Sequence, residues 1–134
     1  MILLAEKIDF ASIEEVPLRQ YFPREDTSFT PWLKDNIKLL GDTIGIDITD
    51  PEIEVPIGSY RLDILAQESD SDRKIVIENQ FGEANHDHLG KLLTYMAGLN
   101  ANVSIWLAES FRDEHITAVN HLNQISDENT AFFV

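Results

Sequence analysis

Apolar positions along this chain pass repeatedly from a helical to an extended period. From Pro31 to about Ile44, Trp32, Ile37, Leu40 and Ile44 fall at helical spacing, with Thr30 as candidate N-cap and Pro31 at the first helical position. A first helix is predicted there, although Gly41 inside it costs about 1 kcal/mol relative to Ala. Three strands are then expected in succession. Glu52-Ile53-Glu54-Val55-Pro56-Ile57 alternates, Gly58-Ser59 can turn, Tyr60-Arg61-Leu62-Asp63-Ile64-Leu65 alternates again, and Lys74-Ile75-Val76-Ile77 is a β-branched run. The polar stretch Glu68-Ser69-Asp70-Ser71-Asp72 reads as a hairpin tip. A second helix from about Asn85 to Leu99 gathers Leu89, Leu92, Leu93, Met96 and Leu99 on one arc, with Asn85 able to cap it and Asn100 able to stop it. Val103–Ala108 reads as a buried strand, and 112–125 as a third helix with His115, Val119 and Leu122 on one face. Ala131–Val134 looks like the start of another strand, which leaves room for a longer parent domain.

This order of elements suggests an α/β fold, a mixed central β-sheet flanked by helices on both faces. Residues 1–30 hold Pro17, Pro23 and the cluster Asp26-Thr27-Ser28, and they read as an irregular N-terminal arm ahead of a domain at 31–134. With 134 residues, one domain is the default. An apolar share of 43% and a charged share of 25% suit a soluble protein, and no apolar run approaches the ~20 residues of a membrane span. The start MILLAEKIDF lacks the pattern of a signal peptide, and the absence of cysteine excludes disulfides and thiolate chemistry. A cytoplasmic protein is the simplest expectation, with homo-oligomers left open. The net charge of −14 opposes nucleic-acid binding, because such affinity comes largely from Lys and Arg.

Candidate chemistry lies in the hairpin. A turn centred between Asp70 and Ser71 places Asp63 opposite Glu78 in an antiparallel pair. Like charges directly across a ladder are unfavourable unless a proton or cation resolves them, so a divalent metal suits the pair. Gln80, two residues after Glu78, shares its face, where its carbonyl can orient a water or reach a metal. The same spacing also fits two acids on the solvent side of a sheet.

Asp63 on one strand and Glu78-Asn79-Gln80 on the next resemble the PD-(D/E)xK nuclease motif, with Gln80 in place of the Lys. Val16-Pro17-Leu18-Arg19, Phe29-Thr30-Pro31-Trp32-Leu33 and His86-Asp87-His88-Leu89-Gly90-Lys91-Leu92-Leu93-Thr94-Tyr95 further resemble a bacterial family of unknown function associated with that fold. The likeness runs over roughly residues 14 to 126. It implies a restriction-endonuclease-like αβββαβ core and phosphodiester hydrolysis in DNA or RNA. It also implies Mg²⁺, or Mn²⁺, held by Asp63 and Glu78, polarising the scissile phosphate and acidifying an attacking water. A helix-one acid often joins such sites; Asp35 is the candidate, with Asp42 and Glu54 as substitutes. RecB-like members carry Gln-x-x-x-Tyr on the following helix, and here Lys91 and Tyr95 hold those positions, so Lys91 can replace the missing Lys. Gln80 cannot act as a general base at neutral pH.

His86 and His88, two apart on a helix, point in different directions and do not suggest zinc. His88 is expected towards the phosphate side, His115 and His121 as ordinary helix residues, and Trp32 and Trp106 as core. No Gly-rich phosphate loop, Gly-x-Ser-x-Gly elbow or His-Glu-x-x-His is present. Three readings remain: a metal-dependent nuclease, an inactive nuclease-like module that binds nucleic acid or docks a protein, and an unrelated carboxylate-rich domain.

Overall fold

The structure is a computed structural model and describes residues 16–134; the first half of the expected arm lies outside the described residues. A 3-10 turn at Leu18–Gln20 and a π-turn at Glu25–Phe29 lead into helices α1 (Thr30–Asp35) and α2 (Ile37–Ile44). Strands β1 (Ile48–Ile57), β2 (Tyr60–Glu68) and β3 (Lys74–Glu83) follow, then α3 (His86–Leu99), β4 (Val103–Ser110), α4 (Asp113–Ile125) and β5 (Ala131–Phe133).

The five strands form one mixed sheet in the order β1-β2-β3-β4-β5. The first three are antiparallel neighbours, and β4 and β5 add on in parallel. Parallel pairing requires a crossover, which α3 and α4 provide. On one face, Phe29, Leu33, Ile37, Leu40 and Ile44 pack against Ile48, Ile64, Ile75, Ile77 and Ile105. On the other, Leu89, Leu92, Met96, Val119 and Leu122 pack against Leu62, Val76, Trp106 and Phe132. The α/β architecture expected from the hydrophobic pattern is therefore present.

Four local expectations change. The first helix is two helices: Asn36 breaks it (φ −117°, ψ 27°), and its side-chain N–H donates to the Trp32 carbonyl at 2.8 Å. An Asn amide competes with helical hydrogen bonding in this way. Thr30 is not an N-cap, because the π-turn runs directly into it; its hydroxyl instead accepts from the buried Asn79 amide at 2.9 Å. Trp32 is 39% exposed, on the rim of an aromatic cluster with Phe22 and Phe29, whereas Trp106 is fully buried.

β1 also begins four residues earlier than the alternation predicts, because an edge strand tolerates Pro51 and the irregular step between Thr49 and Glu52. Gly41 has a packing reason: a Cβ there would lie 2.5 Å from the Ile46 carbonyl oxygen, where the chain folds back from α2. Asn85 caps α3 by accepting from the His88 N–H, and Asn100 ends it in the left-handed region, φ 52°.

Candidate active site

The regular ladder between β2 and β3 runs from Gln67 opposite Lys74 to Ile64 opposite Ile77. Continued by one position, it sets Asp63 against Glu78, as the turn arithmetic requires. There the two strands part. β3 remains paired with β4 as far as Glu83 and Ser110, so only its β2 side opens.

Backbone N–H groups along that opened side need new acceptors, since an unpaired buried N–H costs about 1–3 kcal/mol. Carboxylates supply them. Asn79 N–H donates to Asp63 Oδ2 at 2.8 Å, and Phe81 N–H donates to Glu25 Oε1 at 2.7 Å. From β2, Asp63 N–H donates to Glu78 Oε1 at 3.3 Å. At the same level, β2 changes face: Leu62 belongs to one core and Ile64 to the other. The neighbouring Glu54 on β1 takes a left-handed backbone, φ 54°, which is strained for a side chain of its size.

The site is electrostatically loaded. Burial pushes Asp63 up to about 6 against the N–H bond from Asn79, and the charges of Glu54 and Glu25 push the same way. Burial pushes Glu78, 3% exposed, up to about 9, and the charge of Asp63 adds to it. The pair therefore holds a proton at neutral pH unless a cation takes its place. Glu54 Oε1 is buried and finds no hydrogen-bond partner among the described residues. Hard carboxylate oxygens and an orphaned acidic oxygen fit Mg²⁺, which commonly binds through one or two carboxylates and keeps several waters. Among the described residues, no three His, Asp or Glu side chains converge closely enough to cage a metal unaided.

The structure does not bring Asp35 to the pair. Asp35 is exposed at the end of α1, and Asp42 is exposed and paired with Lys38 at 3.1 Å; of the three candidates, Glu54 alone acts on Asp63. The shortness of α1, cut at Asn36, leaves both helix acids on the solvent side. Gln80 is buried with both ends engaged: its amide N–H donates to the Glu83 carbonyl at 2.7 Å, and its carbonyl accepts from Trp106 Nε1 at 3.3 Å. Lys91 and Tyr95 sit one turn apart on α3 and act electrostatically on Glu78. Burial lowers the Lys91 ammonium, but its 3.3 Å ion pair with Asp87 and the charge of Glu78 leave it raised. Burial, followed by the charge of Lys91, lowers His88. His86 turns away to His115, Nδ1 to Nε2 at 2.7 Å, so His86 and His88 do not share a site. His115 is buried against Trp106, which makes it a core residue of α4.

The fold is that of two solved nuclease-related structures. One is EndoMS in complex with dsDNA: TM-score 0.62 and 17% identity over 92% of this chain and 47% of that one. The other is a repair endonuclease from Pyrococcus abyssi: TM-score 0.58 and 16% identity over 91% of this chain and 48% of that one. This chain thus spans about half the length of either neighbour. No protein-family model and no curated protein sequence matches it. No helix among the described residues is long and apolar enough to cross a membrane.

Sequence reasoning missed Glu25 and Asn79. Glu25 lies in the irregular leader, 56 positions from the N–H it serves, and no periodicity marks it. Asn79 alternates out of the Glu78 face, and its amide ties β3 to Thr30 across the opposite core.

Proposed function

We propose that this chain is a Mg²⁺-dependent nuclease domain that hydrolyses phosphodiester bonds in nucleic acid, with Asp63 and Glu78 holding the cation. The observation that carries this reading is the facing acid pair, Glu78 buried and Asp63 half-buried, at the point where β2 and β3 part. Their backbone bonds use one oxygen of each carboxylate, and the two side chains also hydrogen-bond to one another, a proton contact that a cation would replace. A bound Mg²⁺ would supply Lewis acidity to a phosphate and lower the pKa of a water. Around it, Asn79 N–H fixes the Asp63 carboxylate, and Asp63 N–H fixes that of Glu78. Lys91 offers a positive charge and Tyr95 a hydroxyl on the α3 side. Gln80 holds the end of β3 in place through Trp106 and Glu83. The dsDNA in the EndoMS complex makes duplex DNA the first substrate to test, with single-stranded DNA and RNA beside it.

A second reading is favoured by three observations: the motif Lys is absent, Gln80 is tied at both ends, and Lys91 is paired with Asp87. On that reading the fold binds nucleic acid or docks a protein without cutting. Incubation with labelled duplex DNA, single-stranded DNA and RNA in Mg²⁺, Mn²⁺ or EDTA separates the two. Metal-dependent cleavage lost in Asp63→Asn and Glu78→Gln supports the nuclease. Salt-sensitive binding with no cleavage under any metal supports the inactive module. Lys91→Ala, if it left both cleavage and affinity unchanged, would remove Lys91 from the site.

A further inference from the structure

The net charge of −14 leaves few cations for a polyanion, and most of those are already committed. Of ten Lys and Arg residues, nine lie among the described residues, and six of these stand within 4.0 Å of a carboxylate. The other three are Arg19, Lys34 and Lys74, and the Lys74 ammonium donates to the Leu99 carbonyl at 3.2 Å. Arg19 alone of the three borders the carboxylate site. With Arg24, Glu25, Asp26 and Asp63, it lines an open cleft of about 560 Å³. Arg24 is held by both carboxylate oxygens of Asp26, at 3.0 and 3.1 Å, and is neutralised locally.

Arg19 is fixed, and among the described residues no carboxylate stands within 4.0 Å of its guanidinium. Its guanidinium carbon lies 4.9 Å from the centre of the Phe81 ring, on the same strand as Glu78. Stacking on an aromatic face orients an Arg while leaving its edge N–H groups free to donate. The turn that carries it is fastened to the sheet: Leu18 N–H donates to Glu109 Oε2 at 3.2 Å, and the other oxygen of that carboxylate accepts from Gly82 N–H at 2.8 Å. Arg19 and the acid pair are thus referenced to one strand, β3.

We propose that Arg19 is a phosphate-binding residue for the nucleic-acid backbone, seating a phosphodiester next to the one presented to Asp63 and Glu78. A guanidinium forks onto two phosphate oxygens, which suits backbone binding without sequence readout. This inference rests on the nuclease-like reading above and gives it a polarity: the backbone enters over the Leu18–Gln20 turn.

The test is binding of a labelled DNA duplex by the full chain in Ca²⁺, as NaCl is raised from about 50 to about 200 mM. Arg19→Ala is expected to weaken binding about tenfold at the low-salt end and to reduce the log–log salt slope by about 0.9, one phosphate contact. Arg19→Lys should keep the slope, since it keeps the charge. Lys34→Ala, which removes an exposed cation outside the cleft lining, should match the parent protein. Circular dichroism of each variant verifies the fold. If Arg19→Ala and Lys34→Ala behave alike while Asp63→Asn still abolishes cleavage in Mg²⁺, the Arg19 assignment is overturned and the nuclease reading stands. If the parent protein shows no salt-sensitive binding, both are overturned.

Discussion

The two halves of the β2–β3 hairpin are built from the same strands and do opposite work. In the half near the turn, Ile64–Gln67 and Lys74–Ile77 exchange backbone hydrogen bonds and bury Ile64, Ile75 and Ile77 completely. Beyond Ile64 and Ile77 the strands part, and carboxylates of Asp63, Glu78 and Glu25 take over as backbone acceptors. The first half converts apolar burial into stability, at about 25 cal/mol per Å². The second draws carboxylates against the strand at a cost in desolvation, with Glu78 buried and Asp63 and Glu25 half-buried beside an open cleft. What holds the acids there is the otherwise unmet demand of the backbone N–H groups. A sheet that opens on one side thus gathers carboxylates out of its own need for acceptors.

The comparison breaks most sharply at the acids themselves. Asp63→Asn and Glu78→Gln keep an acceptor oxygen, so each should fold, yet each is expected to lose at least about 100-fold in metal-dependent phosphodiester hydrolysis, measured by single-turnover cleavage. The next largest effect is on stability against pH. Unfolded Asp and Glu titrate near 4, whereas the folded pair is raised to about 6 and about 9. From about 4 upward the folded chain therefore holds protons that the unfolded chain has released. The stability that this pair contributes is complete below that range and falls as pH climbs towards 9. Thermal melting in EDTA should show this decline, Glu78→Gln should flatten it, and saturating Mg²⁺ should restore several degrees at pH 8. A smaller effect is expected from Glu25→Ala, which strands the Phe81 N–H and should cost about 1–3 kcal/mol in urea unfolding, with Glu25→Gln recovering part of it. The smallest is Ile75→Val in the regular half: about 1 kcal/mol of stability with turnover unchanged. A turnover defect in that variant as large as its stability loss would erase the distinction between the halves.

Much of the frame was legible in the sequence because it rests on local signals. The β-branched run Ile75–Ile77, the caps Asn85 and Asn100, and a polar tip at Ser69–Asp72 each announce their element through short-range chemistry. The facing of Asp63 and Glu78 was expected from an assumed turn centre; the ladder follows that register from Gln67–Lys74 to Ile64–Ile77, and the two acids meet one step beyond its end. What was illegible depends on distant contacts. Thr30 looks like a helix cap until the preceding residues are seen to wind into it, and its hydroxyl is spent on Asn79. Asp35 looks like a third acid only on an unbroken first helix, and Asn36 breaks it. Glu25 and Arg19 reach the cleft through a leader whose sequence carries no period at all.

The central claim is that the parted strands hold a divalent cation between Asp63 and Glu78. A crystal structure of the full chain soaked with Mn²⁺, with anomalous scattering recorded at the manganese edge, tests it directly. The expected result is an anomalous peak between the two carboxylates that disappears in Glu78→Gln. A peak elsewhere with these acids still protonated, or none in crystals of a protein that cleaves DNA in Mn²⁺, would contradict it.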